Sequence, residues 1–150
     1  MNEDAHVMLA FLPEDPYWAR QDLPHLTLVY AGKQVEHSAE DFIQMSMAAR
    51  WIGEAMTRFS LKVTEPDVYG SGTDENPYVD VFKLQPSSEL VIARSFVEEW
   101  NKSEHLYSPH VTVGPQGTIA EQEIRIPSTI TFNQVCLAWG PRRIKYPLKY

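Results

Sequence analysis

Runs of apolar and alternating residues along the chain predict a series of short β-strands. Two runs are mostly apolar, over residues 5–12 and 26–30, and they end at Pro13 and at Ala31-Gly32. Elsewhere apolar and polar side chains alternate, as in half-buried strands, because successive side chains of a strand point to opposite faces. Further strands are therefore predicted at residues 59–63, 78–84 and 108–114, with two more inside residues 124–148 around Gly140-Pro141.

Two other segments have the pattern of an amphipathic helix. Ser38 can cap the first one, because a serine side chain accepts from the free N–H groups of a first turn. Glu40 and Asp41 follow, where negative charge is favoured. Apolar residues then recur every three or four positions, at Phe42, Met45, Ala49, Ile52 and Met56. The same capping logic predicts a second helix from Ser87 to about residue 100.

The predicted elements follow one another as strand, strand, helix, strand, strand, helix and three strands. Residues 13–22 and 66–77 are rich in proline, glycine or polar residues and are predicted to be loops, the second of them flexible. No low-complexity linker divides the sequence, so one domain over residues 1–150 is predicted. Each half contains an apolar strand, a strand with Pro-His and a capped helix. This weak duplication predicts an α+β domain of two similar lobes.

Composition and charge narrow the choice of partner and compartment. A net charge of −7 argues against binding long nucleic acid, which takes many Lys and Arg contacts, but it permits a small phosphorylated ligand. No stretch approaches the ~20 apolar residues of a membrane span, and the acidic residues 1–4 lack the basic start of a signal peptide. The single cysteine, Cys136, lies in an apolar run and is predicted to be a buried thiol. We expect a cytoplasmic protein, and the sequence does not indicate its oligomeric state.

Two segments share one pattern and carry the candidate chemistry. PHLTL at residues 24–28 and PHVTV at residues 109–113 both read proline, histidine, aliphatic, threonine, aliphatic. On a strand, each histidine would share a face with the threonine two residues later, while the aliphatic side chains enter the core. A chance occurrence of both copies is expected in well under ~1% of chains of this composition. The pair is therefore interpreted as catalytic.

Two imidazoles and two hydroxyls around one cleft suit the cleavage of a phosphodiester. Imidazole titrates near neutrality, so either His25 or His110 can take a proton from the attacking hydroxyl while the other protonates the leaving oxygen. Thr27 and Thr112 can donate to the non-bridging phosphate oxygens. The mechanism needs no metal and no cofactor, because the leaving group receives a proton. The sequence does not decide which histidine is the base.

At these motifs the chain resembles the two-histidine phosphoesterases, which include LigT-like 2′,5′ RNA ligases and cyclic phosphodiesterases. The final residues 135–148, with Arg142, Arg143 and Tyr146, are also similar to the family's last strands. The resemblance implies a bilobal α+β fold, in which a pseudo-two-fold pair of mainly antiparallel sheets forms a central cleft with helices outside. It also implies that His25 and His110 act as acid and base.

Members of the family cleave 2′,3′-cyclic phosphates, ADP-ribose cyclic phosphate, 2′,5′-linked oligoadenylates and RNA 3′ ends. Some viral members destroy cyclic oligonucleotide signals of host defence, and such a protein would act in the host cytoplasm. The present chain is shorter and more acidic than the RNA-ligase branch, which favours a small nucleotide over polymeric RNA. The rival hypothesis is a binding module that sequesters a nucleotide in the same cleft without turning it over.

Other residues are candidates for contacts with the substrate. Aromatic side chains near a phosphate cleft often stack on a base, and arginines often pair with phosphate. The candidates for these contacts are Tyr17, Trp18, Tyr107, Trp139, Arg142 and Arg143. For each, a structural role in the core, at a strand end or in a solvated turn is the competing interpretation. The remaining histidines, His6, His37 and His105, have no threonine two residues later and are interpreted as surface or structural, and no spacing predicts a metal site.

Overall fold

The computed structural model describes residues 5–150, so the acidic residues 1–4 lie outside the described part. Within that part, seven strands and three helices follow one another along the chain. They are β1 (His6–Pro13), β2 (Leu26–Lys33), α1 (Ala39–Ala55), β3 (Phe59–Tyr69), β4 (Val79–Leu84), α2 (Ser88–Val97), β5 (His110–Pro115), α3 (Thr118–Glu121), β6 (Thr129–Trp139) and β7 (Arg142–Pro147). Short 3₁₀ turns at Gln34–Glu36 and Glu98–Trp100 complete the fold.

The strands form two antiparallel groups that meet along narrow seams. Their order is β1-β2-β5-β4-β3-β6-β7, and β1 also pairs with β6. Between β2 and β5 the only residue pair is Leu26 with Val111, and β3 joins β6 through four pairs at one end. One group therefore contains β2, β1, β6 and β7, and the other contains β5, β4 and β3. The predicted α+β fold of two antiparallel halves is confirmed.

The long helix α1 begins and packs as its sequence predicts. The Ser38 hydroxyl accepts from the Asp41 N–H at 3.1 Å, and the Asp41 carboxylate accepts from the Ser38 N–H at 3.1 Å. This reciprocal capping box satisfies two N–H groups that a helix start leaves free. Met45, Ala49 and Ile52 are buried, and the helix packs against β6 and β7. The second helix, α2, is capped by the Ser87 hydroxyl, which accepts from the Leu90 N–H at 3.3 Å, and it packs against β2.

The prediction of a flexible loop at residues 66–77 is wrong for its first part. β3 continues to Tyr69, and β4 pairs with it throughout, with Pro66 opposite Phe82 and Tyr69 opposite Val79. β6 pairs only with the first residues of β3, Phe59–Lys62. At Pro66 the edge of β3 that faces away from β4 is therefore unpaired, and a proline, which has no N–H to donate, is tolerated there. The extension brings Tyr69 beside the second Pro-His motif.

The short α3 and the turn at Gln34–Glu36 were not predicted. α3 is four residues long, too short for a helical period, and it is fixed by tertiary contact. The buried Asp80 carboxylate accepts from the Ile119 N–H at 3.0 Å. Cys136 is fully buried as predicted, and this burial raises the pKa of its thiol. None of the helices among residues 5–150 combines the length and the apolar character that crossing a bilayer requires.

Candidate active site

The seam between β2 and β5 brings the two Pro-His motifs side by side. Leu26 and Val111 are fully buried and lie opposite one another in the antiparallel pair. Their neighbours along each strand must point to the other face. Continuing the register by one residue in each direction places Thr27 opposite His110 and His25 opposite Thr112. Thr27, His110 and Thr112 line one cavity, and His110 is near enough to lower the pKa of His25, so the polar side chains of the two motifs lie close together.

The imidazole of each Pro-His motif is hydrogen-bonded to a backbone carbonyl two residues earlier in the chain. His25 Nδ1 lies 2.6 Å from the Leu23 oxygen, and His110 Nδ1 lies 2.8 Å from the Ser108 oxygen. A carbonyl can only accept, so Nδ1 carries the hydrogen in both rings and Nε2 is left for a ligand. This geometry explains the prolines of the two motifs. A residue before proline is restricted to extended conformations, which fixes the direction of the carbonyl that receives the Nδ1 hydrogen.

Tyr69 holds His110 from a second side. Its ring meets the imidazole edge to face, with centroids 4.6 Å apart, and its hydroxyl lies 2.9 Å from the Ser108 hydroxyl. His110 is thereby confined between the Ser108 carbonyl and an aromatic ring. Sequence reasoning missed Tyr69 because it placed the residue in a flexible loop. The alternation of apolar and polar residues from Phe59 stops at Val63, so the pattern gave no signal that the strand continues to Tyr69.

Burial controls the charge of both histidines. Desolvation lowers the pKa of His25 below its ordinary value, and the positive charges of His110 and Arg143 lower it further, while the Leu23 carbonyl opposes the shift. Desolvation also lowers the pKa of His110, against the effect of the Ser108 carbonyl. Since two nearby imidazolium ions repel, the pair favours states with at most one added proton. One neutral and one protonated imidazole is the combination that acid–base catalysis requires.

A cavity of about 680 Å³ opens beside this cluster. Thr27, His110 and Thr112 line it, whereas His25 is not part of the lining and is joined to it through Leu26, which pairs with Val111 between the two lining residues of β5. The volume falls within the range of about 300–1,000 Å³ that is usual for small-molecule sites. The polar side chains that also contribute to the wall are Tyr30, Tyr69, Ser71, Asn76, Arg94, Asn101, Ser103, His105, Tyr107 and Ser108.

Tyr107 lies in the wall of this cavity and also has a structural bond. Its hydroxyl donates to the backbone oxygen of Thr27 at 2.7 Å, and burial raises the pKa of the phenol. The phenol therefore stays protonated at neutral pH and remains a donor. The bond ties the segment before β5 to the first Pro-His motif on β2. Both interpretations of Tyr107, at the cleft and at a strand end, therefore describe its position.

The two arginines of β7 lie on different sides. Arg143 is near enough to His25 to lower the pKa of that imidazole, and it donates to the backbone oxygens of Gly140 and Arg142. Arg142 lies over the ring of Phe42 on α1, with 4.8 Å from its Cζ to the ring centroid. Adjacent residues of a strand point to opposite faces, so only one of them can approach the histidines. Neither is part of the cavity wall.

Three of the aromatic residues expected to bind substrate lie outside the cavity. Trp18 is 2% exposed and packs edge to face on Phe82, so it is a core residue. Its loop is folded inward because the Arg20 N–H donates to the backbone oxygen of Val113. Tyr17 is exposed, but its hydroxyl donates to the backbone oxygen of Arg125 and it does not line the cavity.

Trp139 is the third, and it belongs to the packing between β6 and α1. It is buried and contacts the rings of His37 and Phe42. Stacking on a nucleobase is therefore not available to it, and the core interpretation is correct. Within residues 5–150, no group of three or more His, Cys, Asp or Glu side chains is arranged to hold a metal ion.

Solved structures share this fold over nearly the whole chain. Escherichia coli LigT in complex with 3′-AMP matches with a TM-score of 0.56 and 20% identity, covering 97% of this chain and 95% of that one. TT0787 of Thermus thermophilus matches with a TM-score of 0.61 and 16% identity, over 96% and 98%. Kluyveromyces marxianus Usb1 matches with a TM-score of 0.62 and 11% identity, over 97% and 99%.

No family model matches the sequence, and no curated protein matches it. At such low identities the structural similarity establishes the fold. The chain therefore has a LigT-like fold, as expected from the resemblance that the Pro-His motifs carry.

Proposed function

We propose that this chain is a phosphodiesterase that cleaves a phosphodiester bond of a small nucleotide by acid–base catalysis between His25 and His110. The observation that carries the proposal is the matched pair of imidazoles on adjoining strands, each with Nδ1 bound to a carbonyl. In the neutral form such a ring accepts a proton at Nε2, and in the protonated form it donates one from the same atom. A LigT-like fold supports the assignment.

The reaction follows from these roles. The neutral imidazole removes the proton of the attacking hydroxyl, from a neighbouring 2′-OH or from water, as the new O–P bond forms. The protonated imidazole donates its Nε2 proton to the leaving oxygen as the old P–O bond breaks. The Thr27 and Thr112 hydroxyls donate to the non-bridging oxygens, where charge develops. Desolvation lowers the pKa of both histidines, so either one can be the base while the other is the acid.

The proposed substrates are small nucleotides, not polymeric RNA. The cavity is of the size that holds one small molecule, and the net charge of −7 opposes a long polyanion. E. coli LigT has been solved in complex with 3′-AMP, which is a small nucleotide, and in complex with phosphate. The candidates are 2′,3′-cyclic phosphates, 2′,5′- or 3′,5′-linked oligonucleotides and cyclic oligonucleotide signals of host defence. Action in the cytoplasm, of a host cell if the protein is viral, belongs to the same proposal.

A panel of these nucleotides, incubated in EDTA with wild type, His25→Ala and His110→Ala, tests the proposal. We expect turnover by wild type and a loss of about 10²–10⁴-fold in each variant, because acid and base each contribute on that order. His6→Ala is the matched control, since His6 is exposed and outside the cavity. Turnover that survives both substitutions would remove the mechanism. Tight binding without any product would favour the sequestering module.

A further inference from the structure

The charge of the cavity wall differs from that of the protein as a whole. The sequence contains 20 Asp and Glu residues, yet none of the described residues that line the cavity is acidic. Arg94 is the one Lys or Arg among those described lining residues. In a chain with a net charge of −7, a cavity without carboxylates and with a guanidinium is suited to anions. The two histidine motifs account for one phosphate and leave Arg94 without a role.

Arg94 projects from α2 onto the face of Tyr107. Its Cζ lies 4.2 Å from the centroid of the tyrosine ring, so the guanidinium makes a cation–π contact. Its Nε is buried and has no hydrogen-bond partner, and Arg94 makes no ion pair with any residue of the described range 5–150. A guanidinium has five N–H donors that match the oxygens of a phosphate. A buried donor without a partner is costly, and since the Nε does not fix the guanidinium to the protein, the terminal N–H groups are the ones that can donate to a bound anion.

Tyr107 connects this arginine to the catalytic face. Its ring is under the Arg94 guanidinium, and its hydroxyl donates to the Thr27 backbone oxygen at 2.7 Å. Arg94 therefore contacts the ring face and Thr27 the hydroxyl of the same tyrosine, and both residues line the same cavity. A ligand with its scissile phosphate at Thr27 can reach the guanidinium with another part of the same molecule.

We propose that Arg94 binds a second phosphate group of the substrate. The substrate class is then a nucleotide with at least two phosphates, such as a linear or cyclic oligonucleotide or a nucleotide with an additional terminal phosphate, and not a mononucleoside 2′,3′-cyclic phosphate. The proposal deepens the proposed function, on which it rests for the position of the first phosphate. Ser71, Asn76 and Asn101, also in the wall, provide neutral polar groups for the sugar or base between the phosphates.

Binding of two probes that differ by one phosphate tests this site. Calorimetry would compare adenosine 3′,5′-bisphosphate with 3′-AMP for wild type, Arg94→Gln, Arg94→Lys and the control Arg50→Gln, whose side chain is exposed and paired with Glu54 on α1. We expect wild type to bind the bisphosphate at least about tenfold more tightly, as one charge-assisted contact supplies. Arg94→Gln should remove this preference while leaving the affinity for 3′-AMP unchanged. Arg94→Lys should keep part of it, and Arg50→Gln all of it.

An arginine that only covers Tyr107 would give a different result. Its replacement would weaken both probes alike or lower only the stability of the fold. Either of these effects of replacing Arg94 would overturn the proposal. It would also be overturned if wild type bound the two probes with equal affinity or did not bind the bisphosphate. His110→Ala separates this question from catalysis, because the preference for the bisphosphate should persist in that variant even though turnover is lost. Failure of the proposed function would instead appear as turnover that does not depend on the histidines.

Discussion

Replacement of Tyr107 by phenylalanine tests the bond that joins the cavity wall to the first motif. The substitution removes a single oxygen, the one that donates to the Thr27 carbonyl at 2.7 Å, and keeps the ring under Arg94. A hydrogen bond contributes about 1 kcal/mol, and a buried acceptor left without a donor costs about 1–3 kcal/mol. Because Tyr107 borders an open cavity, water can reach the carbonyl, and we expect the lower value, about 1 kcal/mol.

Urea unfolding measures this change directly. With a slope of about 2 kcal/mol/M, a loss of about 1 kcal/mol moves the midpoint down by roughly 0.5 M. The corresponding melting temperature falls by about 2–4 °C in a chain of this size. Tyr150→Phe is the matched control, since Tyr150 is 97% exposed and the same atom is removed in solvent. A Tyr107→Phe midpoint equal to that of Tyr150→Phe would refute the role assigned to this bond.

Three further predictions concern packing, capping and pH. Leu26→Ala, at a fully buried residue behind both motifs, should lower the free energy of unfolding by about 2–5 kcal/mol, whereas Val35→Ala at an exposed position should change it little in the same urea assay. Ser38→Ala removes the acceptor for the Asp41 N–H and should cost about 1 kcal/mol, measured by thermal unfolding. Burial lowers the pKa of both His25 and His110, so between pH 6.5 and their lower native values the unfolded chain binds protons that the folded chain does not. The free energy of unfolding should therefore be at its full value above pH 6.5 and fall on acidification by up to about 1.4 kcal/mol per pH unit for each histidine. The double variant His25→Gln with His110→Gln should show a weaker dependence on pH.

The sequence predicted the parts of the molecule that depend on local chemistry. The Ser38 cap and the period of α1 need only neighbouring residues, and both are found as expected. The two motifs could be placed on strands because their aliphatic residues alternate with histidine and threonine. Their meeting at one seam also followed from the duplication, since two similar lobes bring equivalent strands together.

The parts that were missed depend on contacts between distant segments. Trp18 is in a proline-bounded loop, and only the bond from Arg20 to Val113 shows that the loop folds inward. Pro66 suggested the end of a strand, and the pairing with β4 shows that this edge tolerates it. Arg94 is on the face of α2 that reaches the cavity, a relation that the helical period alone does not define. Neither Tyr69 nor Arg94 belongs to the two Pro-His motifs, and the position of each side chain at the cavity depends on tertiary structure.

The measurement that most directly tests the convergence of two imidazoles on one phosphate is an NMR titration of the histidine rings. The ring nitrogens would be followed against pH with and without 3′-AMP. We predict Nδ1-protonated neutral rings for His25 and His110 in the free protein, and a rise in the pKa of both on addition of the nucleotide, because each protonated Nε2 can donate to the same phosphate. The signals of His6 and His37, outside the cavity, should not move with the ligand. A rise at only one of the two rings, or at neither, would contradict the account.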